Sequence, residues 1–410
     1  MRKNIGFKNG KLKILQISDL QDTRLTSVDT LRFMDAVMKN IRPDLMIFTG
    51  DQLDVAGIWG KGKRAHKNVE TAIKNLFSVF EDYDVPFALT FGNHDRETGV
   101  PNEEQARIYA RFGNCICFDE TDDGRPDVGT FNIPVSSSDG KSTVMNIFIT
   151  DTHSSVGGRG LAPVDQSQID YFTSISERDS LPAINFRHIP PPEIYELLEE
   201  VPKGTDGALP AYKSRKGKFY RLNKALIKDR GVFGETPSVP DGNNGEFDAL
   251  ARCGVFAVFC GHDHYNSFVG TLNGVDIGYC PGGGYSSYGQ PHRAVRVFEF
   301  DEDDVTNYKT YTVSYNDVCR HPLAQPVKNF IYCNAPSCVE EAPSFAVKCL
   351  AVIALIIILL MIVSHFISIK YFLFSVLGIS VIYAVFSAVR NAVLRRRLIR
   401  DFNNNRIRET

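Results

Sequence analysis

The sequence predicts an α/β protein with mixed sheets and outer helices, followed by a helical hairpin long enough to cross a membrane twice. Three observations carry this prediction. β-Rich runs alternate with helical ones through the first 300 residues, and two uncharged apolar runs of 20 and 19 residues stand near the C-terminus. The 410 residues are 43% hydrophobic and 23% charged, enough to bury a sizeable core. With Gly 32 and Pro 20, that composition excludes a disordered, collagen-like or small disulfide-stapled protein.

Taken in order, short apolar runs predict strands at 12–18, 45–49 and 86–91, with helices near 28–40 and 68–82 between them, a βαβαβ unit. A strand at 143–150, a helix from 165 to about 178, strands at 183–187 and 255–260, and shorter strands up to Phe300 follow. Residues 201–245, rich in Gly, Pro and Lys, read as an excursion. Residues 312–346, punctuated by Pro322, Pro326, Pro336 and Pro343, read as a linker. The expected organisation is a domain over 1–311, the linker 312–346, two membrane helices in 347–390 and a basic tail over 391–410.

The run 349–368 (with VIALIIILLMIV) and the run 371–389 lack Asp, Glu, Lys and Arg. At about 1.5 Å per helical residue, each covers the roughly 30 Å of a hydrocarbon core. Only Ile369 and Lys370 separate them, so both ends of the hairpin are expected on one side. The formal charge of −2 hides an asymmetry: seven arginines against Asp401 and Glu409 give residues 390–410 a net +5, which leaves −7 on the first 389. Positive flanks stay cytoplasmic. The expectation is a multi-pass cell-membrane protein with its soluble domain and both termini in the cytoplasm. The N-terminus offers no apolar stretch with a cleavage site, and nine scattered cysteines read as reduced thiols. An acidic domain argues against a nucleic-acid partner.

Polar clusters stand where the predicted strands end: Asp19 and Gln21, Gly50 and Asp51, Gly92 to Asp95, Arg187 and His188, and Gly261 to His264. Groups just beyond the carboxyl ends of strands in an α/β sheet converge on one crevice. Two divalent cations about 3.5–4 Å apart need a shared carboxylate, with imidazole and amide or carboxylate oxygen on each flank. Asp51 is the candidate bridge. Such a pair lowers the pKa of a water toward about 7 and neutralises charge on phosphoryl oxygens. His94, expected to be held by Asp95, is suited to protonating a leaving alkoxide. Singly, Gly-Asp is a turn and Asn-His-Asp a helix cap; their ordered combination points to metal.

The series SDLQ, GD, GNHD, HIPPPE and GHDH, in that order over residues 12–300, resembles the calcineurin-like metallophosphoesterase superfamily. Within it, HIPPPE, GVFGE at 231–235 and FCGHDHYNSF at 259–268 resemble the intracellular phosphatases related to plant purple acid phosphatases. The resemblance implies a two-sheet αββα sandwich with a dinuclear centre. It assigns Asp19, Gln21, Asp51 and His264 to one metal, Asp51, Asn93, His188 and His262 to the other, and catalysis to His94 with Asp95. Gln21 stands where the superfamily usually has the histidine of Asp-x-His. A glutamine there is also familiar in manganese-dependent ADP-ribose and CDP-alcohol hydrolases, so Mn²⁺ is favoured over Zn²⁺, Fe²⁺ or Mg²⁺. Purple enzymes place a tyrosine where this chain has Asp54, so no iron–tyrosinate colour is expected.

The activity so implied is hydrolysis of a phosphoester on a small molecule, a lipid headgroup or a phosphoprotein. The alternatives are a pyrophosphohydrolase of the ADP-ribose or CDP-alcohol type, and a silent membrane adaptor that keeps the fold. His153 reads either as a rim residue or as a surface-loop histidine. The basic stretch 212–230 and the group Lys61, Lys63, Arg64 and Lys67 either flank the site or are solvated faces. Cys319, His321, Cys333 and Cys338 have irregular spacing for a zinc knuckle and read as ordinary thiols.

Overall fold

The computed structural model describes residues 4–54, 62–117, 124–153, 161–334, 342–366 and 368–409. Ile5–Gly6 (β1) and Lys11–Ile17 (β2) lead into Val28–Ile41 (α1). Ser27 caps α1 by accepting the Thr30 N–H, and the helix stops at Arg42 in the left-handed region, directly before Pro43. Leu45–Thr49 (β3) is buried at every residue, as a central strand requires. Lys63–Glu81 (α2), which starts five residues earlier than the sequence pattern suggests, and Phe87–Thr90 (β4) complete the βαβαβ unit. Then come Asn93–Glu97 (α3), Asn102–Tyr109 (α4), Phe131–Ser136 (β5), Thr143–Thr150 (β6), Gln166–Asp179 (α5) and Ala183–Arg187 (β7).

The 201–245 region is more ordered than an excursion. Leu198–Glu200 (β8), Leu209–Pro210 (β9) and Phe219–Leu222 (β10) form a small sheet in the order β8-β10-β9, pinned by Lys218–Glu200 and Arg221–Glu199 ion pairs at 2.8 and 2.6 Å. Ile227–Asp229 (β11) joins the edge of a large sheet. Glu246–Arg252 (α6), Val255–Cys260 (β12), Val269–Leu272 (β13), Val275–Tyr279 (β14), Ala294–Asp301 (β15) and Asp304–Ser314 (β16) follow.

One sheet runs β16-β15-β2-β3-β4 and the other β1-β5-β6-β7-β12-β14-β13-β11. They face each other across the main core. Phe298 of β15 meets Phe186 of β7 and Phe259 of β12 with ring centroids 5.2 and 4.6 Å apart. On the outer face of the first sheet, Phe48 packs on Phe77 and Phe80 of α2; on that of the second, Phe148 stacks on Phe172 of α5. These layers make an αββα sandwich.

Beyond Ser314, Tyr315–Val318 (α7) and Pro326–Asn334 (α8) lie in the stretch read as a linker. The Ala324 and Gln325 N–H groups donate to the buried Asp29 carboxylate at 2.7 and 3.0 Å, which straps this segment to α1. Ala342–Phe366 (α9) and Ile369–Glu409 (α10) are long and apolar enough to cross a membrane, and their apolar stretches are not buried in the protein. α10 does not end at the last apolar residue. It continues through the arginines, so residues 391–409 are helix and not a loose tail. Leu398, Ile399 and Phe402 form a stripe between the charges; Phe402 is buried and the other two pack on the same core as α1 and α2.

Phe402→Ala is expected to cost about 3 kcal/mol by emptying that contact. A thermal melt of the detergent-solubilised chain reads the loss, and trypsin should then cut sooner at Arg395–Arg400. An unchanged melt and digest would show that the helix end carries no packing load.

Candidate metal centre

Five strand ends carry the residues expected as ligands. β2 leads to Asp19 and Gln21, β3 to Asp51, β4 to Asn93 and His94, β7 to His188, and β12 to His262 and His264. β2, β3 and β4 are neighbours in one sheet, β7 and β12 in the other, so the loops meet along the seam between sheets. Backbone bonds stitch them: Asp19 N to Gly50 O at 3.1 Å, Gln21 N to Asp51 O at 2.9 Å and Gly261 N to His188 O at 3.0 Å. Buried Gln16 donates to Thr49 Oγ1 and to Cys260 O, one link on each sheet.

The loops turn too tightly for ordinary backbone. Asp19, Gln21, Asp51 and His262 have φ of 53°, 39°, 52° and 73°, a left-handed conformation costly for residues with a Cβ and typical of functional sites. Gly50, at φ 90°, has no room for a side chain: a Cβ there would lie 2.7 Å from Gly92 N and from His188 Nδ1.

The donors converge. His188 spends its Nδ1–H on Thr49 O at 2.8 Å, which leaves Nε2 as the lone-pair nitrogen. That nitrogen lies 3.3 Å from Asp51 Oδ2, from Asn93 Oδ1 and from His262 Nδ1. Positive charge resolves that crowding of oxygen and nitrogen atoms, either a proton on Nε2 or a metal cation in its place. His264 likewise gives Nδ1–H to Tyr288 O at 2.8 Å and turns Nε2 to within 3.2 Å of Asp19 Oδ1. Asp19 Oδ2 accepts from Ser18 Oγ and His262 N, while Oδ1 is buried without a hydrogen bond. Asp51 Oδ2 also accepts Gln21 Nε2–H at 3.0 Å, and Asp51, His188 and His262 form a group that could hold a metal ion. These residues fit a pair of divalent ions: carboxylate, imidazole and amide oxygen are hard-to-borderline donors, and an orphaned carboxylate oxygen is aimed inward.

Electrostatics point the same way. Burial disfavours a proton on His188, yet the Asp51 and Asp19 charges push its pKa up to about 10. Burial and the neighbouring His188 push His262 down to about 3, so that ring is neutral with a pair of electrons to give. Burial opposes ionisation of Asp51 too, but the surrounding imidazoles hold its carboxyl well below the usual range. The pocket demands positive charge at its centre.

Asp95 requires a correction. It does not touch the His94 ring. Its Oδ2 accepts the N–H groups of Asp51 and Gly92 at 2.8 and 2.9 Å, and its Oδ1 accepts that of Leu53 at 3.1 Å. Asp95 therefore shapes the ligand loops, because a buried carboxylate must collect donors and these were the nearest. His94 is held instead by Glu97, with Nδ1 to Oε2 at 2.8 Å, and its Nε2 is 4.0 Å from Asp51 Oδ2.

A cavity of about 250 Å³ opens over the cluster, and Tyr212, Lys213, Glu235 and Tyr288 line it together with His94 and His262. Two of the basic stretch's residues thus reach the rim, while Lys218 and Arg221 are spent on the small sheet. Glu235 and Tyr288 escaped residue-by-residue reading; the only signal was Glu235 at the end of GVFGE. Glu235 accepts the Tyr265 N–H at 2.9 Å, and Tyr288 stacks on His264 at 4.0 Å. Arg187 points elsewhere, to Glu246 at 2.5 Å.

His153 lies in a separate group with Asp127 and Asp151. The Arg96 guanidinium fills that group, 2.7 Å from Asp151 Oδ2 and 3.2 Å from His153 Nδ1. Lys63, Arg64 and Lys67 start α2, whereas Lys61 and Cys338 lie outside the described residues. Cys319 donates to Arg32 O and Cys333 to Asn329 Oδ1, so they serve different neighbours.

A family model described as calcineurin-like phosphoesterase matches residues 12–266, more than half of the chain. The chain belongs to this family. The phosphoesterase is 30% identical over 336 residues to probable inactive purple acid phosphatase 28 of Arabidopsis thaliana, covering 71% of this chain and 75% of that protein. It is 24% identical over 350 residues to phosphatase DCR2 of Saccharomyces cerevisiae, covering 75% of this chain but 55% of the yeast protein. Among solved structures it is similar to a dimetal phosphatase from Danio rerio, at 11% identity and a TM-score of 0.41, covering 74% of this chain and 99% of that one. The family's chemistry is that of metal-dependent hydrolases of phosphoesters.

Asp95→Asn separates loop shaping from a role on His94. An amide cannot accept all three N–H groups, so the variant should lose about 1–3 kcal/mol and bind less metal per chain. Normal metal content and melting with altered turnover would restore the partnership with His94.

Proposed function

We propose that this phosphoesterase hydrolyses a phosphoester by direct attack of water, at a site where Asp19, Gln21, Asp51 and His264 hold one divalent cation and Asp51, Asn93, His188 and His262 hold the other. The observation that supports this most is the buried Asp19 Oδ1, which has no hydrogen bond and lies 3.2 Å from His264 Nε2, together with the group in which Asp51, His188 and His262 could hold a metal ion. When bound, the two ions supply Lewis-acid activation of water and neutralise phosphoryl charge. Mn²⁺ is the favoured ion. Gln21 now presents Nε2 to Asp51, and turning its amide over presents the oxygen instead.

His94 is the proposed proton donor to the leaving oxygen, with Glu97 favouring its protonated form. Burial works against a proton on this ring, while the Asp51 and Glu97 carboxylates favour one and raise its pKa. Lys213 brings a positive charge to the rim. The cavity is smaller than the roughly 300–1,000 Å³ that encloses a whole drug-sized ligand. It suits a phosphoryl group whose carrier stays outside, which favours a phosphoester over an enclosed dinucleotide. We further propose that α9 and α10 tether the enzyme to a membrane as a hairpin, with the domain and both termini on the cytoplasmic face, where the arginines after the second span belong.

Asp51→Asn should reduce turnover of p-nitrophenyl phosphate at least about a hundredfold in chains that circular dichroism shows to be folded; near-normal activity would remove the metal assignment. His94→Asn should cost about 10²–10⁴-fold on an alkyl phosphate, whose leaving group needs a proton, and far less on p-nitrophenyl phosphate. Equal losses on both substrates would take the proton-donor role from His94. Gln21→His should move metal preference from Mn²⁺ toward Zn²⁺ in competition dialysis, and an unmoved preference would place Gln21 outside the ligand set.

A further inference from the structure

α8 has two faces with different tasks. Its inner face is bonded to loops that carry the site. Asn329 is buried and donates Nδ2–H to Pro291 O at 3.1 Å, Lys328 Nζ donates to Ser286 Oγ at 3.3 Å, and Cys333 O accepts the Tyr265 O–H at 3.0 Å. Tyr265 directly follows the ligand His264. Ser286 Oγ donates at 2.9 Å to Asp22, which directly follows Gln21. The helix is therefore fastened next to both ends of the donor set.

Its outer face is apolar and bare. Val327, Phe330 and Ile331 are 54%, 70% and 56% exposed, and their spacing of three and four puts them on one stripe. Tyr332 flanks that stripe, its ring 5.3 Å from the ammonium of the inward-turned Lys328. An apolar stripe edged by tyrosine is the composition of a membrane-interface element. Chain continuity supplies the occupant. Only seven residues separate Asn334 from Ala342, the start of α9, so the two helix ends lie within about 28 Å of each other. α9 is one of the two proposed spans.

We propose that the apolar face of α8 seats in the membrane interface beside the rim of the site, so that the phosphoryl group taken there is one presented at a bilayer surface, on a phosphorylated lipid headgroup. This rests on the tethered phosphoesterase reading above. The small cavity agrees with it, since a headgroup phosphate enters while the acyl chains stay in the bilayer.

The test uses the full chain in phosphatidylcholine vesicles. In a Trp59→Phe background, which removes the only tryptophan, Phe330→Trp places an indole on the stripe. Quenching by bromine-labelled acyl chains, with little quenching by aqueous acrylamide, is the expected result. Strong acrylamide quenching, or protection from both quenchers because a protein covers the face, overturns the proposal. In parallel, Val327→Ser, Phe330→Ser and Ile331→Ser combined should lower hydrolysis of vesicle phosphatidic acid at least about tenfold and leave p-nitrophenyl phosphate turnover unchanged. Equal effects on both substrates, or no effect on either, overturn it as well. Failure of the underlying reading looks different: p-nitrophenyl phosphate is untouched by the unsubstituted chain, or alkaline carbonate releases the chain from vesicles.

Discussion

Two carboxylates, Asp19 and Asp51, lie almost wholly out of water where the two sheets meet, and much of the surrounding structure is what that burial requires. A buried charge survives only with partners. Imidazoles answer it from the second sheet, backbone N–H groups answer it from the neighbouring loops, and Asp95 holds those loops in the left-handed turns that aim the groups inward. The pairing across the seam also explains why neither sheet could carry the site alone. The first contributes the carboxylates and amides, the second the imidazoles, apart from His94.

Most strands of the core were legible because each is a short apolar run ended by a polar cluster, and a period or an abrupt end is a local signal; Phe131–Ser136 (β5), interrupted by Asn132 and Pro134, was not. The candidate ligand types were legible for the same reason: Asp51, Asn93 and His262 stand two or three residues past a strand. What pairs with what was not. The proximity of Asp95 to His94 in sequence suggested a partnership, but adjacent residues in a helical turn point apart, and Glu97, three residues on, shares the face. Packing hid the rest. Arginines at 395–397 and 400 make 391–410 read as solvated, although Leu398, Ile399 and Phe402 were there to be buried. The prolines at 322 and 326 suggested a linker, yet Pro326 opens α8 at a position where a helix needs no N–H. The small three-stranded sheet has strands of two to four residues, too short for alternation to register.

Gln21, in place of the usual histidine, is one of two departures from the superfamily's ligand pattern, Asp54 being the other. In the proposed donor set, Gln21 would bind a hard cation more weakly than imidazole binds a borderline one, which would lower the hold on one ion without removing it. The remaining donors are in place and mutually oriented by second partners, Thr49 for His188 and Tyr288 for His264. A surface kept only for binding another protein has no use for rings locked by their far nitrogens, whereas a metal ligand does.

α10 passes without a break from its apolar half into the half packed on α1 and α2, about 60 Å in all. A hinge between them would let the soluble part wander over the surface; a continuous rod does not. In the tethered arrangement the helix leans further where the bilayer is thin and stands straighter where it is thick. The whole soluble unit leans with it. Under the proposed tether, the height and tilt at which the site meets the surface would follow the thickness of the bilayer, which would make lipid composition a variable of the enzyme's geometry.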